Sequence, residues 1–440
     1  MPSTYLSRTI GTTGNRKTFT YSAWIKRSII SNEYPRIASS YWGSGDRIEL
    51  TFTNTDEFQI YHLDNSSNNI NLTTNKKFRD TSAWYHIVIA VDTTQATASN
   101  RVKLYVNGVQ ETSFSTATYP SQNDNTIVNY SDGSNSTFRI GGSQHYNPNG
   151  LFGGSMSHIN FIDGTAYDAT AFGQYDANGV WTIKTSPSVT YGTNGFFILE
   201  DGNSVTDQSG NGNNWTVGGG TLTNTEDNPS NVFATMNPLS SQATLSNGNT
   251  KSQYGGGGIQ RNSSPTTLGM LSGKYYCECK ITLAGSTSFP GLGIAATNSL
   301  LSNKFGNYYL GEHSDTYGYY TGNGYIYNNT SEVASGLSIF ATNDIAGLAL
   351  DLDSAQNTLK FYKNGSLVYT LNITNNSNGW FFADTHESGE LGARAEWNFG
   401  NGYFGTTAVA SAGTNASGIG IFEYDVPTGY TALSTKGLDL

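Results

Sequence analysis

Hydrophobic and polar residues alternate along most of this chain, and the period is two. In FTYSAWIKR (19–27), Phe19, Tyr21, Ala23 and Ile25 fall on one face, with Thr20, Ser22 and Lys26 opposite. That period predicts a half-buried strand, because successive side chains leave a pleated strand on opposite sides. WYHIVIAVD (84–92) is apolar on both faces and predicts a central strand. RVKLYVNGVQ (101–110) puts Val102, Leu104 and Val106 on one face, then turns at Asn107-Gly108. Asn-Gly suits the positive φ angles of a two-residue type I′ hairpin turn. The same device returns in TLKFYKNGSLVYTL (358–371). Each hairpin follows a strand that is apolar on both sides and ends in Asp, IVIAVD in one half and LALDLD in the other. The repetition predicts two sheets built alike, each extended or covered by its hairpin.

The rest of the chain fills in this pattern. STFRIGGS and GGSMSHINFIDGTAY read as two more strands of the first half, and NGFFILEDGNS as another. DATAFGQYDANGVW (168–181) has scattered apolar residues and predicts one short helix. TNTEDNPSNVFATMNPLSS has no sustained period and carries two prolines, which marks a boundary. Beyond it KYYCECKITL, GLGIAAT, YGYYTGNGYIYNN, DIAGLALDLD and GWFFADT restart the alternation. The expectation is an all-β protein of two tandem antiparallel β-sandwiches. The first occupies 1–215, a linker 216–241, the second 242–420, and an irregular tail 421–440.

Composition agrees with this and narrows the function. Charged residues make up 13% of the 440, and there are 51 Gly and 28 Tyr. Gly and Asn supply tight turns between short strands. The net charge is −10 and no Lys/Arg-rich run occurs, which argues against nucleic acid as a partner. No stretch approaches 18 apolar residues, so no membrane insertion is expected, and the N-terminus lacks the apolar core of a secretory signal. Cys277 and Cys279 lie two apart on one strand face, where a disulfide would be strained and no second ligand pair sits nearby for a metal; buried free thiols are the reading. The sequons at Asn65, Asn71 and Asn135 carry no weight without a secretory route.

Two family resemblances enter here. FTYSAWIKRS, WYHIVIAVDTT, RVKLYVNGVQ and GGSMSHINFIDG resemble laminin-G-like, or concanavalin-A-like, jelly rolls. GKYYCECKI, GLGIAATNS, YGYYTGNGYIY, DIAGLALDLDSAQNTLKFYKNG and NFG (398–400) resemble SPRY domains, with Cys277 where the opening SPRY strand usually has Trp. A narrower likeness runs through YLSRTIGTTGNRKTFTYSAWIKRS, TAFGQYDANGVWTIKT, GTNGFFILEDGNSVTDQSGNGNNWTV and VPTGYTALSTKGL, which look like tail-fibre or virion-surface proteins of marine bacteriophages. That resemblance implies a virion-associated binding protein, made in the host cytoplasm and displayed on the virion surface.

Some jelly rolls of this class cleave β-glucans with two carboxylates about 5 Å apart, written Glu-x-Asp-x-x-Glu on one strand. The nearest approach here is Glu423-Tyr-Asp425-Val-Pro-Thr428, which lacks the second Glu and is interrupted by Pro427; Glu387 and Glu390 in HESGE fit no better. No GxSxG or HExxH motif occurs, and His86 and His158 lie within strands. No catalytic residue, metal or cofactor is therefore assigned. SQNDNT (121–126) offers oxygen ligands of the kind Ca²⁺ takes, and is read instead as a solvated turn. The candidate binding residues are Tyr317, Tyr319, Tyr320, Tyr325 and Tyr327, interleaved with Gly and Asn as in a sugar-binding surface. The expected function is non-enzymatic adhesion to a host-surface glycan or protein. The alternative is an architectural capsid-decoration or fibre protein contacting other virion proteins, with a glycan hydrolase a third reading. A homo-oligomer fits either of the first two.

Overall fold

The structure, a computed structural model, describes the chain apart from residues 1–2, 31–32, 44, 66, 134–135, 147–148, 201, 203, 242, 255–261, 284–289, 298–307 and 387–393. It divides into two compact units, Met1–Asn224 and Thr225–Leu440. Both are built from antiparallel sheets, so the all-β, two-sandwich expectation holds. No helix among the described residues is long and apolar enough to cross a membrane.

In the first unit an eight-stranded sheet runs, in spatial order, Phe114–Thr118, Ser67–Lys77, Glu57–Asp64, Asp46–Phe52, Arg36–Trp42, Thr137–Ile140, Tyr5–Thr9 and Thr216–Gly218. The six-stranded sheet runs Phe196–Ile198, Gly154–Asp163, Thr18–Arg27, Tyr85–Asp92, Val102–Val106 and Val109–Glu111. Their inner faces share one core, with Ile48, Leu50, Phe58 and Ile60 from the first sheet and Tyr21, Ile25, Ile87, Ile89 and Leu104 from the second. Burying each such side chain is worth about 1.5–3 kcal/mol, which is what holds the two layers together. Tyr85–Asp92 is central, as its two apolar faces predict, and the Asn107-Gly108 hairpin carries the sheet to its edge.

Thr20, Ser22 and Lys26, expected on a solvent face, are buried. The reason is a cover. Ala169, Phe172, Tyr167, Trp181, Val189 and Tyr191 pack over Val88 and Ile162 on the outer side of the six-stranded sheet. This segment departs from the predicted short helix. A 3₁₀ turn at Ala169–Ala171, capped by the Asp168 side chain, leads into a hairpin of Gly173–Tyr175 with Trp181–Ile183. The Asp176 carboxylate accepts the N–H groups of Asn178 and Val180 and closes the hairpin turn. Local hydrogen bonds of this kind compete with helix.

The second unit repeats the plan. One sheet runs Thr244–Ser246, Lys251–Gln253, Arg394–Asn398, Lys274–Leu283, Ile345–Asp351, Thr358–Lys363 and Ser366–Asn372, and Thr431–Ala432 pairs in parallel with Lys274–Leu283. The other runs Asn262–Pro265, Trp380–His386, Gly291–Ala296, Thr316–Tyr320, Tyr325–Asn328 and Ser331–Ala334. Cys277, Leu348, Leu350, Phe361 and Trp397 meet Leu292, Ile294, Trp380 and Phe382 between them. The Asn364-Gly365 hairpin again lies at a sheet edge.

Two stretches expected to be irregular are built in. The linker 216–241 is shared out: Thr216–Gly218 pairs with Tyr5–Thr9, while Phe233, Ala234 and Met236 are buried in the second unit. In the tail, Phe422, Val426 and Tyr430 pack with Tyr276 on the outer side of its sheet. Glu278 clasps that tail, its carboxylate accepting the N–H groups of Glu423 at 2.8 Å and Tyr424 at 2.9 Å. Such segments lack a sustained period because they mainly cover a face and join a ladder for only two or three residues.

Candidate functional site

The register of the eight-stranded sheet puts six residues in direct cross-strand succession: Ser7, Arg139, Ser39, Glu49, Tyr61 and Asn71. Directly opposed residues share a face of a sheet. The neighbouring row, Leu6, Ile140, Ala38, Leu50, Ile60 and Leu72, is buried in the core. The polar row therefore lies on the outer face. Arg47 sits two residues before Glu49 on the same side of its strand, and Arg36 reaches the same group of side chains.

After Thr137–Ile140 the chain returns over this face. Ser39 Oγ donates to the Gly142 carbonyl at 2.9 Å, and Arg139 Nη1 donates to the Ser143 carbonyl at 3.2 Å. Tyr146 then lies beside two arginines. The guanidinium carbon of Arg36 is 4.0 Å from its ring centroid and that of Arg47 is 5.4 Å away, with Arg47 Nη2 donating to the Tyr146 hydroxyl at 3.1 Å. Arg139 stacks at 4.2 Å over Tyr5, and Arg47 lies 5.5 Å from Tyr61. These cation–π contacts fix the guanidinium planes.

Glu49 stands between two of the arginines, 3.5 Å from Arg36 Nε and 3.7 Å from Arg47 Nε. Those separations attract without making a hydrogen bond. Arg36, Arg47, Arg139 and Glu49 are 7%, 8%, 6% and 3% exposed, yet among the described residues the Nε atoms of all three arginines and Oε1 of Glu49 meet no hydrogen-bond partner. A buried donor left so costs about 1–3 kcal/mol. His145, at the exposed rim, is held below its ordinary pKa by partial burial and then by the Arg47 charge, with Arg36 adding to it and Glu49 opposing. The face can hold an acceptor-rich ligand against its guanidinium groups and a ring against its tyrosines. Glu49 is the single carboxylate in the row.

The tyrosines proposed from sequence are placed differently. Tyr317 and Tyr319 point into the second core, where their hydroxyls reach Thr374 Oγ1 at 3.1 Å and the Ser338 carbonyl at 2.5 Å. Tyr320 is buried on the opposite side, donating to the Leu310 carbonyl at 3.0 Å. Tyr325 and Tyr327 are half-buried, with ring centroids 6.2 Å apart. On Thr316–Tyr320 alternation sends two rings inward, and residues 309–311 cover the third.

The remaining sequence candidates are structural. His86 accepts from Trp181 Nε1 at 3.0 Å through Nδ1, so its proton sits on Nε2 and is donated to Ser22 Oγ at 2.9 Å. Burial lowers its pKa to about 3. His158 is likewise lowered to about 4 by burial. Glu423 accepts from Ala410 N and Asp425 from Thr414, so neither forms a facing acid pair in the tail; Glu387 and Glu390 lie outside the described residues. Cys277 and Cys279 are buried and free. In SQNDNT, Asp124 accepts from Asn69 Nδ2 at 3.3 Å, and among the described residues no three His, Cys, Asp or Glu side chains gather as a metal-ion group.

The arginine face was missed in the sequence. Its signal was present in DRIELTF (46–52) and TFRI (137–140), where charge alternates with apolar residues, but nothing local says that those strands share a sheet.

Residues 3–170 match the family model described as the concanavalin A-like lectin/glucanases superfamily. No curated protein sequence matches the chain. Among solved structures, the SPRY domain of human HERC1 is similar at 20% identity, over 37% of this chain and 96% of that one, with a TM-score of 0.32. A human SPRY domain follows at 20% identity over 34% and 90%, TM-score 0.28. The native heptameric SAP-like pentraxin from Limulus polyphemus is similar at 16% identity over 38% and 72%, TM-score 0.28.

Proposed function

We propose that this protein is a non-enzymatic adhesion component of a bacteriophage virion surface, and that the first unit binds a host-surface glycan on the outer face of its eight-stranded sheet. The observation that carries the binding half is the cross-strand row from Ser7 to Asn71, which includes Tyr61 and is flanked by Tyr5 and Tyr146. Such a face pairs polar groups for hydroxyls with aromatic surface for sugar rings. The match of residues 3–170 to a lectin and glucanase superfamily supports it. The virion half rests on the sequence likeness of the opening, the DQSGNGNNW region and the ending to phage surface proteins.

The purified chain should bind host cells and a subset of host glycans, and Tyr61→Ala should weaken that binding at least tenfold. Silence across host glycans and cells overturns adhesion. Mapping by electron microscopy to head facets, with no cell binding, selects the architectural reading in its place.

A further inference from the structure

We infer that the ligand of this face is an anionic glycan, one carrying sulfate esters or uronate carboxylates. The inference rests on the adhesion reading above and names the ligand class of the same face.

Charge comes first. Arg36, Arg47 and Arg139 set against Glu49 leave the face with two positive charges, on a chain whose net charge is −10. A local positive field on an acidic protein is specific to its place, and it steers anions toward it. The donors come second. Among the described residues three Nε–H groups are buried without partners, and the second terminal nitrogens of Arg36 and Arg139 take no hydrogen bond. A charged oxyanion satisfies a guanidinium far better than a sugar hydroxyl does, and its geometry matches the planar fork.

Glu49 is the third point. It neutralises part of the charge from 3.5 and 3.7 Å but completes no hydrogen bond among the described residues, so the second terminal nitrogens of Arg36 and Arg139 are left for an incoming anion. Shape is the fourth. Beyond the covered stretch the row continues as the partly exposed Tyr61 and Asn71, with Tyr61 5.5 Å from Arg47, so a polymer can lie there beside the guanidinium groups.

The test is calorimetric titration of the intact chain with dextran sulfate, alginate and neutral dextran at low and high salt. Dextran sulfate, alginate or both should bind, neutral dextran should not, and affinity should fall as salt rises. Whichever charged polymer binds tighter identifies sulfate or carboxylate as the group held. Arg139→Gln and Arg36→Gln should each weaken binding at least tenfold. Glu49→Gln should strengthen it several-fold, a direction that misfolding does not produce. Charged-polymer binding that ignores all three substitutions overturns the inference, as does failure to bind either charged polymer. Equal binding of neutral dextran, lost in Tyr61→Ala, also overturns it and leaves the adhesion reading standing. Absence of binding to every polymer together with silence on host cells removes both.

Discussion

Two glycines show how strictly single positions are set. Gly108 has φ +82° and a Cβ there would lie 2.4 Å from the Trp181 ring; Gly365 has φ +78° and would place one 2.7 Å from Tyr424. In both units the hairpin glycine thus makes the turn and also seats an aromatic ring from a covering segment. Gly108→Ala should cost about 2 kcal/mol or more, from left-handed backbone and steric overlap together, read as a lower urea midpoint. His86 makes a second residue-scale test. Its folded pKa, about 3, lies below the ordinary value of 6.5, so protonation favours unfolding. The stability it contributes is complete above pH 6.5 and is lost as pH falls toward 3. Its ring resonances should show no titration down to pH 4 in the folded protein. Titration near 6.5 without unfolding would contradict the buried Trp181–His86–Ser22 chain.

At the scale of elements, covering segments decide what each sheet face becomes. The cover on the six-stranded sheet turns an expected amphipathic strand into one buried on both sides, and Trp181 is its anchor. Trp181→Ala should cost about 3 kcal/mol and expose the Val88 and Ile162 side of the sheet, measured by denaturation and by binding of an apolar dye. In the second unit the tail is held by Glu278. Burial raises its pKa to about 7, against the opposing hydrogen bonds from Glu423, Tyr424, Tyr276 and Asn398. For this acid the folded value lies above the ordinary 4.5, so its contribution favours folding below pH 4.5 and is lost as pH rises through 7. Glu278→Gln should flatten that part of the stability profile; an unchanged slope between pH 4.5 and 7 counts against a buried, proton-binding Glu278. By contrast the outer face of the eight-stranded sheet is crossed by residues 141–146 and by Gly150 and Leu151 beside Arg36, so that Ser39, Glu49 and Arg139 are buried while Ser7, Tyr61 and Asn71 stay partly exposed.

For the molecule as a whole, each unit has its own core and its own pair of sheets. Chains cut between 224 and 225 should therefore each fold with a cooperative transition and strand-rich circular dichroism, and residues 1–224 alone should keep the glycan affinity of the intact protein. A first unit that stays unfolded when expressed alone contradicts this. Positive charge gathered on one face of an acidic chain is likewise visible only at this scale, because Arg36, Arg47 and Arg139 are separated by up to about a hundred residues.

The strands, both Asn-Gly hairpins and the all-β class were legible in the chain because period and turn chemistry are local: a residue's side of a strand depends on its neighbours, and positive φ depends on the residue itself. Alternation could not say which of two faces is covered, so YGYYTGNGYIYNN read as a binding surface while Tyr317, Tyr319 and Tyr320 are enclosed. Nor could it say which strands are neighbours. The row from Ser7 to Asn71 exists because register joins strands that begin as far apart as Tyr5 and Thr137. Register and coverage are set by contacts between distant parts of the chain, and that is why only the tertiary structure decided where the arginines meet.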